Sequence, residues 1–178
     1  VQAVLRGEQQ YGGIVVAAES AVSHCVLSDI DTPSSSSMTS ISSAPQWLFH
    51  SAALLEPLHF SHPAPWAGHI PFAGWLLAVQ QPRTLVELGT YSGISYLAMC
   101  QSIAQNHLPT RAWAVDTWEG DAHAGAYDES IYKSLRRAHD PHYLHFSTLL
   151  RMMFDDALPL FADGSIDLLH IDGLHTYE

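Results

Sequence analysis

Three short polar clusters each follow an apolar run, and each could do chemistry. The first is Val86-Glu87-Leu88-Gly89-Thr90-Tyr91-Ser92-Gly93. Glycines at positions 89 and 93 let the backbone turn sharply and approach a ligand closely. The spacing E-x-G-x-x-x-G is not the dinucleotide pattern G-x-G-x-x-G, whose loop holds a pyrophosphate at a helix N-terminus. An acid directly before the first glycine opposes a pyrophosphate and suits an ammonium group. A plain strand-to-helix turn would use the same residues. The second cluster is Ala114-Val115-Asp116-Thr117-Trp118. An acid at a strand end can accept hydrogen bonds from both hydroxyls of a ribose, or it can simply cap the strand. Trp118 could cover a purine or pack as core. The third is Leu169-His170-Ile171-Asp172-Gly173-Leu174-His175. Asp172 could orient an acceptor hydroxyl, remove its proton or ligate a divalent cation, and His175 could be a base or a ligand. Two such groups do not complete a metal site, so no metal is assigned. His170 is expected to pack or hydrogen-bond away from the site.

Other polar stretches carry less. The small-residue loop Glu119 to Tyr127 could fold over a ligand or stand in solvent. His139, His142 and His145 lack a ligand spacing, and Asp155-Asp156, near Arg151, reads as a solvated helix face.

The elements that must position these clusters follow from alternating apolar runs. Ile70 to Gln80 reads as a helix with Pro71 near its start, where proline is tolerated. Thr84 to Leu88 is a short buried strand and Gly93 to about Gln105 a helix. Ala112 to Val115 is a second strand. Glu129 to Ala138 is a helix stopped near Asp140-Pro141. Tyr143 to Phe146 is a third strand, Thr148 to Leu158 a third helix, and Ile166 to Ile171 a fourth strand. This alternation predicts an α/β protein with a doubly wound, Rossmann-like parallel sheet. Ligands of such sheets bind at the carboxyl ends of the strands, at the topological switch point. All three clusters fall there. Residues 1–45 end in a serine-rich tract and read as a linker or the remnant of a preceding segment; residues 46–178 form the domain.

Composition narrows the partners. The chain has 178 residues, 47% hydrophobic and 14% charged, which suits a packed core. Its net charge of −11 repels phosphate backbones and argues against nucleic acid. Cys25 and Cys100 form no C-x-x-C pair and read as reduced thiols of a cytoplasmic protein. No apolar run approaches the roughly 18 residues of a membrane span. The chain starts at Val1, so a natural start upstream is expected.

The blocks VELGTYSGISYLAMC, AVDTWEGDAHAGAY and SIDLLHIDGLHTYE, preceded by WAGHIPFAGWLLAVQQPRTLVELG, resemble class I S-adenosylmethionine (SAM) methyltransferase domains. The type resembled often accompanies bacterial glycosyltransferases and polysaccharide loci. The resemblance covers about residues 64–178. It implies that Glu87, Gly89 and Gly93 hold the methionine end of SAM, with Thr90 and Ser92 in the same loop. Asp116 would bind the ribose beside Thr117 and Trp118, and Asp172 and His175 would face a small-molecule or glycan acceptor. A divalent cation is possible in such a site. The resemblance also implies a seven-stranded sheet of order 3-2-1-4-5-7-6, of which this chain would stop after the fourth strand. That strand would then be an exposed apolar edge, through which the protein is expected to form homo-oligomers. Two other classes compete with the enzyme: a non-catalytic SAM-binding or interaction module, and a nicotinamide-dependent oxidoreductase, against which the glycine spacing speaks.

Overall fold

The computed structural model describes residues 49–62, 64–121 and 125–173. The expected linker and His175 lie outside these residues. Four strands form one parallel sheet: β1 (Thr84–Leu88), β2 (Arg111–Asp116), β5 (Ser147–Arg151) and β6 (Leu168–Ile171), in the order β5-β2-β1-β6. Leu85 pairs with Ala112 on one side and with Leu168 on the other. A two-stranded antiparallel hairpin, β3 (Gly120–Asp121) with β4 (Gly125–Ala126), follows β2.

Alternate residues of each strand face opposite layers, as strand geometry requires. Leu85, Ala112, Ala114 and Leu168 pack with helices α1 (Ile70–Gln80), α2 (Ile94–Gln105) and α3 (Glu129–Tyr143). Val86, Leu88, Val115 and Leu169 pack with the short helix α4 (Phe154–Ala157) and its neighbours. Both faces are therefore covered, and the central strands are apolar on both sides, which is why they read as continuous apolar runs. The doubly wound α/β reading holds.

Two expectations need correction in the third strand–helix unit. The strand expected at Tyr143 to Phe146 is the end of α3 and a turn, and the helix expected from Thr148 begins instead as β5. Helix α3 runs through Pro141 to Tyr143 rather than stopping before the proline. Its buried residues are Leu135, His139 and Tyr143, a stripe with a spacing of four that crosses the proline. Burial of Tyr143 in the core draws the last turn on. Pro141 sits close to the end, where one lost backbone bond is tolerable, although an interior proline costs about 3 kcal/mol.

Strand β6 ends the sheet order among the described residues, and its Leu168, Leu169 and His170 are 3%, 1% and 5% exposed because both sheet faces are covered there. No helix of the described residues is long and apolar enough to cross a membrane.

Candidate functional site

The carboxyl ends of β1, β2 and β6 lie side by side, and the three polar clusters meet there. The chain leaves β1 through the loop 89–93. Gly89 N donates to Val115 O at 2.9 Å, and Asp172 N donates to Leu88 O at 2.8 Å, so the loop root is tied to both neighbouring strands. Gly89 has φ +82°, and a Cβ there would lie 2.4 Å from the backbone oxygen of Asp172. Only glycine fits this left-handed, close-packed corner. Gly93, at φ +83°, ends the loop and caps α2.

Asp116 is half-buried at the end of β2. Its Oδ2 accepts the backbone N–H groups of Thr90 at 2.8 Å and Tyr91 at 2.9 Å, and its Oδ1 accepts that of Trp118 at 2.7 Å. A carboxylate offers about four lone-pair directions, so three are taken. One ribose hydroxyl could join without disturbing the loop. Contact with both would require the loop amides to yield.

Glu87, expected with Gly89 and Gly93 to hold the methionine end of SAM, is 0% exposed and lies beneath the loop. Thr90 Oγ1 donates to its Oε2 at 2.8 Å, and Ser95 Oγ donates to its Oε1 at 2.6 Å. His170 Nδ1 lies 2.9 Å from the same Oε1. His170 is buried, as expected, and its Nε2 accepts the indole N–H of Trp66 at 3.2 Å. Burial pulls the proton affinity of His170 down. The hydrogen bond and charge of Glu87, with the charge of Asp172, outweigh it, and the net position is above the usual 6.5. The Trp66 N–H opposes that pull directly, because it needs an unprotonated Nε2.

The remaining candidates divide. Trp118 is 1% exposed, its indole N–H donates to Tyr91 O at 2.9 Å, and its ring packs on Tyr132. It packs in the core cluster beside Leu135 and Tyr96. Thr117 and Ser92 are half-buried at the rim. Asp172 is exposed beside Gly89. Tyr91, at the crest with φ +47°, is 42% exposed and lies 4.7 Å from the ring of Tyr127, which follows the β3–β4 hairpin. Residue type and motif spacing do not mark Ser95, Trp66 or the Tyr91–Tyr127 contact as part of the site. Ser95 lay eight residues after Glu87, one strand-to-helix turn away, and was within reach. Trp66 is 104 residues from His170, and no local pattern links them.

Charge around the loop is negative: Glu87, Asp116 and Asp172 all stand at strand ends. Arg151 is the register partner of Asp116 across the sheet. It is turned to Glu129, with bonds of 3.1 and 2.8 Å, and lies over the ring of Tyr132. Such a site favours a cationic ligand over a phosphate. Among the described residues there is no group of three acidic, histidine or cysteine side chains that could hold a metal ion.

A second polar constellation surrounds Ser147 at the start of β5. Ser147 Oγ is 2.7 Å from His139 Nε2, and His139 Nδ1 is 2.9 Å from Asp140 Oδ1. Tyr96 Oη lies 2.6 Å from the same serine. The residue types are those of a hydrolytic triad, but Ser147 and His139 are 1% and 0% exposed. No acyl group can reach the serine. The network ties α2, α3 and β5 together, and α2 is the helix that starts at the glycine loop.

A methyltransferase-domain family model matches residues 86–178, more than half of the chain. The chain belongs to this family. Among curated proteins, an uncharacterized Sinorhizobium fredii protein, y4gI, is 48% identical over 125 residues, covering 70% of this chain and 14% of that protein. Among solved structures, cofactor-bound Rv0187 from MTB aligns at 21% identity and TM-score 0.46, covering 69% of this chain and 49% of that one. The O-methyltransferase from Bacillus cereus in complex with SAH aligns at 17% identity and TM-score 0.44, covering 66% and 47%. The chain thus spans about half the length of these solved structures and a smaller part of the curated relative.

Proposed function

We propose that this methyltransferase-family domain binds SAM at the loop 89–93 and takes part in methyl transfer to an oxygen or nitrogen of a small-molecule or sugar acceptor. The observation that carries the reading is the ring of carboxylates, Glu87, Asp116 and Asp172, around a left-handed glycine corner. SAM fits such a site: it carries an α-ammonium and a sulfonium and has no phosphate. When bound, SAM supplies an electrophilic methyl group, and the acceptor atom forms its new bond to carbon as the carbon–sulfur bond breaks. The chain's own part is positional. The loop amides and Gly89 shape the floor of the site, Asp116 meets the ribose, and Ser92 and Thr117 border it. Asp172, exposed beside the corner, takes the acceptor proton, with His175 three residues further on as its partner. Proximity and orientation supply most of the acceleration in a displacement of this kind. The net charge of −11 favours a neutral or cationic acceptor over nucleic acid. The compartment proposed is the cytoplasm, and a glycosyltransferase-bearing locus is the proposed setting.

Calorimetric titration of the chain with SAM and with NAD tests the cofactor reading. Micromolar binding of SAM and none of NAD is expected. Binding of NAD alone would overturn it. Transfer of a labelled methyl group from SAM to a panel of hydroxyl and amine acceptors tests the reaction.

A further inference from the structure

Beneath the glycine loop runs a buried line of hydrogen bonds that reaches outside the sheet. Trp66 lies on the single 3₁₀ turn Pro65–His69, ahead of α1. Its indole Nε1 donates to His170 Nε2 on β6, and the two rings meet edge to face at 5.3 Å. An indole N–H can only donate, so Nε2 must be the acceptor. The neutral ring then carries its proton on Nδ1, which faces Glu87 Oε1 at 2.9 Å. Glu87 in turn receives the hydroxyls of Thr90, inside the loop, and Ser95, on the first turn of α2. Trp66 also packs against Ile70, Ile94 and Ala98, and Ile94 is the first residue of α2. Every other group lining the small space beside His170 is apolar: Ala73, Leu76, Leu77, Met99 and Leu168. Among the described residues, the charged groups that act on the imidazole are Glu87 and, at the end of its own strand, Asp172.

We infer that Trp66 and His170 are positioning residues of the cofactor site, which together fix the tautomer of the imidazole and hold the Glu87 carboxylate uncompensated beneath the loop. The inference rests on the SAM reading given above and deepens it. With the Nδ1–H tautomer locked, Glu87 has a donor on each side and a fixed direction. While the indole N–H holds Nε2 as an acceptor the ring is neutral and does not cancel the charge of Glu87, which remains available to the α-ammonium of the methionine end above it. A buried network of this kind is worth more when every member is satisfied than when one is lost. It also explains why the aromatic segment before the sheet belongs to the site although it lies far from the strand ends in sequence.

Two measurements test this. In full-length chain labelled with ¹⁵N-histidine, long-range ¹⁵N–¹H spectra report the tautomer of His170, assigned by its loss in H170Q. A neutral Nδ1–H ring at neutral pH is expected; an Nε2–H ring or an imidazolium would overturn the inference. Calorimetry with SAM then compares H170F, H170Q and W66F with the native chain. Glutamine can donate from its amide nitrogen and accept at its oxygen, so H170Q should bind SAM within a few-fold of the native chain. H170F and W66F should bind weaker on the order of ten-fold, the ratio that corresponds to loss of one interaction of about 1.4 kcal/mol. Equal weakening in H170Q and H170F, or native affinity in both H170F and W66F, sinks the inference while leaving the SAM reading intact. Failure of the native chain to bind SAM sinks the reading itself, and the spectrum still reports on the tautomer.

Discussion

Asp116 is the residue on which the loop and the proposed ribose contact converge. Its three backbone partners make it a fastener before any ligand arrives. Asp116→Ala should therefore lower both functions. A loss of about 1–3 kcal/mol of stability is expected from three amides left without their acceptor, read from denaturant unfolding. SAM affinity should fall on the order of ten- to a hundred-fold, since charge-assisted bonds are the stronger kind. Unchanged affinity would remove the ribose assignment. Cys100 illustrates the opposite case, a reactive residue type with no reactivity. Burial raises its thiol to about 12, with a smaller upward push from the charge of Glu87. At about pH 8 the thiolate that attacks an alkylating agent is nearly absent. Peptide mapping after iodoacetamide should find Cys100 unmodified in the folded chain and modified in denaturant.

At the scale of elements, the site depends on one corner and one helix. Gly89→Ala should be damaging, because the new Cβ meets the backbone of Asp172 and Gly173 in a left-handed turn. The conformation alone costs roughly 1 kcal/mol, and the collision is with backbone, which cannot swing aside. Lower thermal stability and loss of SAM binding are both expected. Helix α3 offers a sharper test. If it continues through Pro141, then Pro141→Ala restores a backbone donor in the last turn and should stabilise the chain by about 1 kcal/mol, a fraction of the full interior penalty. If the helix ended before the proline, as the sequence alone suggests, the substitution would have almost no effect. Denaturant midpoints of the two proteins decide.

At the scale of the whole molecule, surface carboxylates make stability depend on acid. Asp128 is held below its usual range by hydrogen bonds from Ser130, and Glu129 chiefly by the hydrogen bond from Arg151. For Asp140, burial raises the carboxyl, but hydrogen bonds from Arg136 and His139 outweigh it and the net shift is downward. A carboxyl whose folded pKa is depressed adds stability above its unfolded value, and that stability is lost as pH falls through the folded value. Melting temperature should therefore be flat near neutral pH and fall below about pH 4, the unfolded carboxyl range. An E129Q, D140N variant should show a shallower fall. These pairs are largely solvent-exposed, so each contribution is modest.

Much of the fold was written in local pattern. The alternation of apolar runs and turn residues located β1, β2, β6, α1 and α2, because their burial follows from hydrophobic period alone. The glycine corner was legible for the same reason: Gly89 and Gly93 mark positions that only a left-handed backbone can use. The third unit was not legible. Whether Tyr143 and Phe146 lie on a strand or at a helix end depends on which neighbour buries them, and Pro141 gave a misleading stop. The chemistry divides in the same way. Sequence by itself determined that acids stand at the ends of three strands around a glycine loop, since residue type and strand position suffice for that. Tertiary structure alone decided what each acid does. Glu87 is covered and answers to His170 and Trp66, Asp116 fastens the loop, and Asp172 lies open. Those differences arise from contacts 25 to 104 residues apart, which no spacing within a segment can encode.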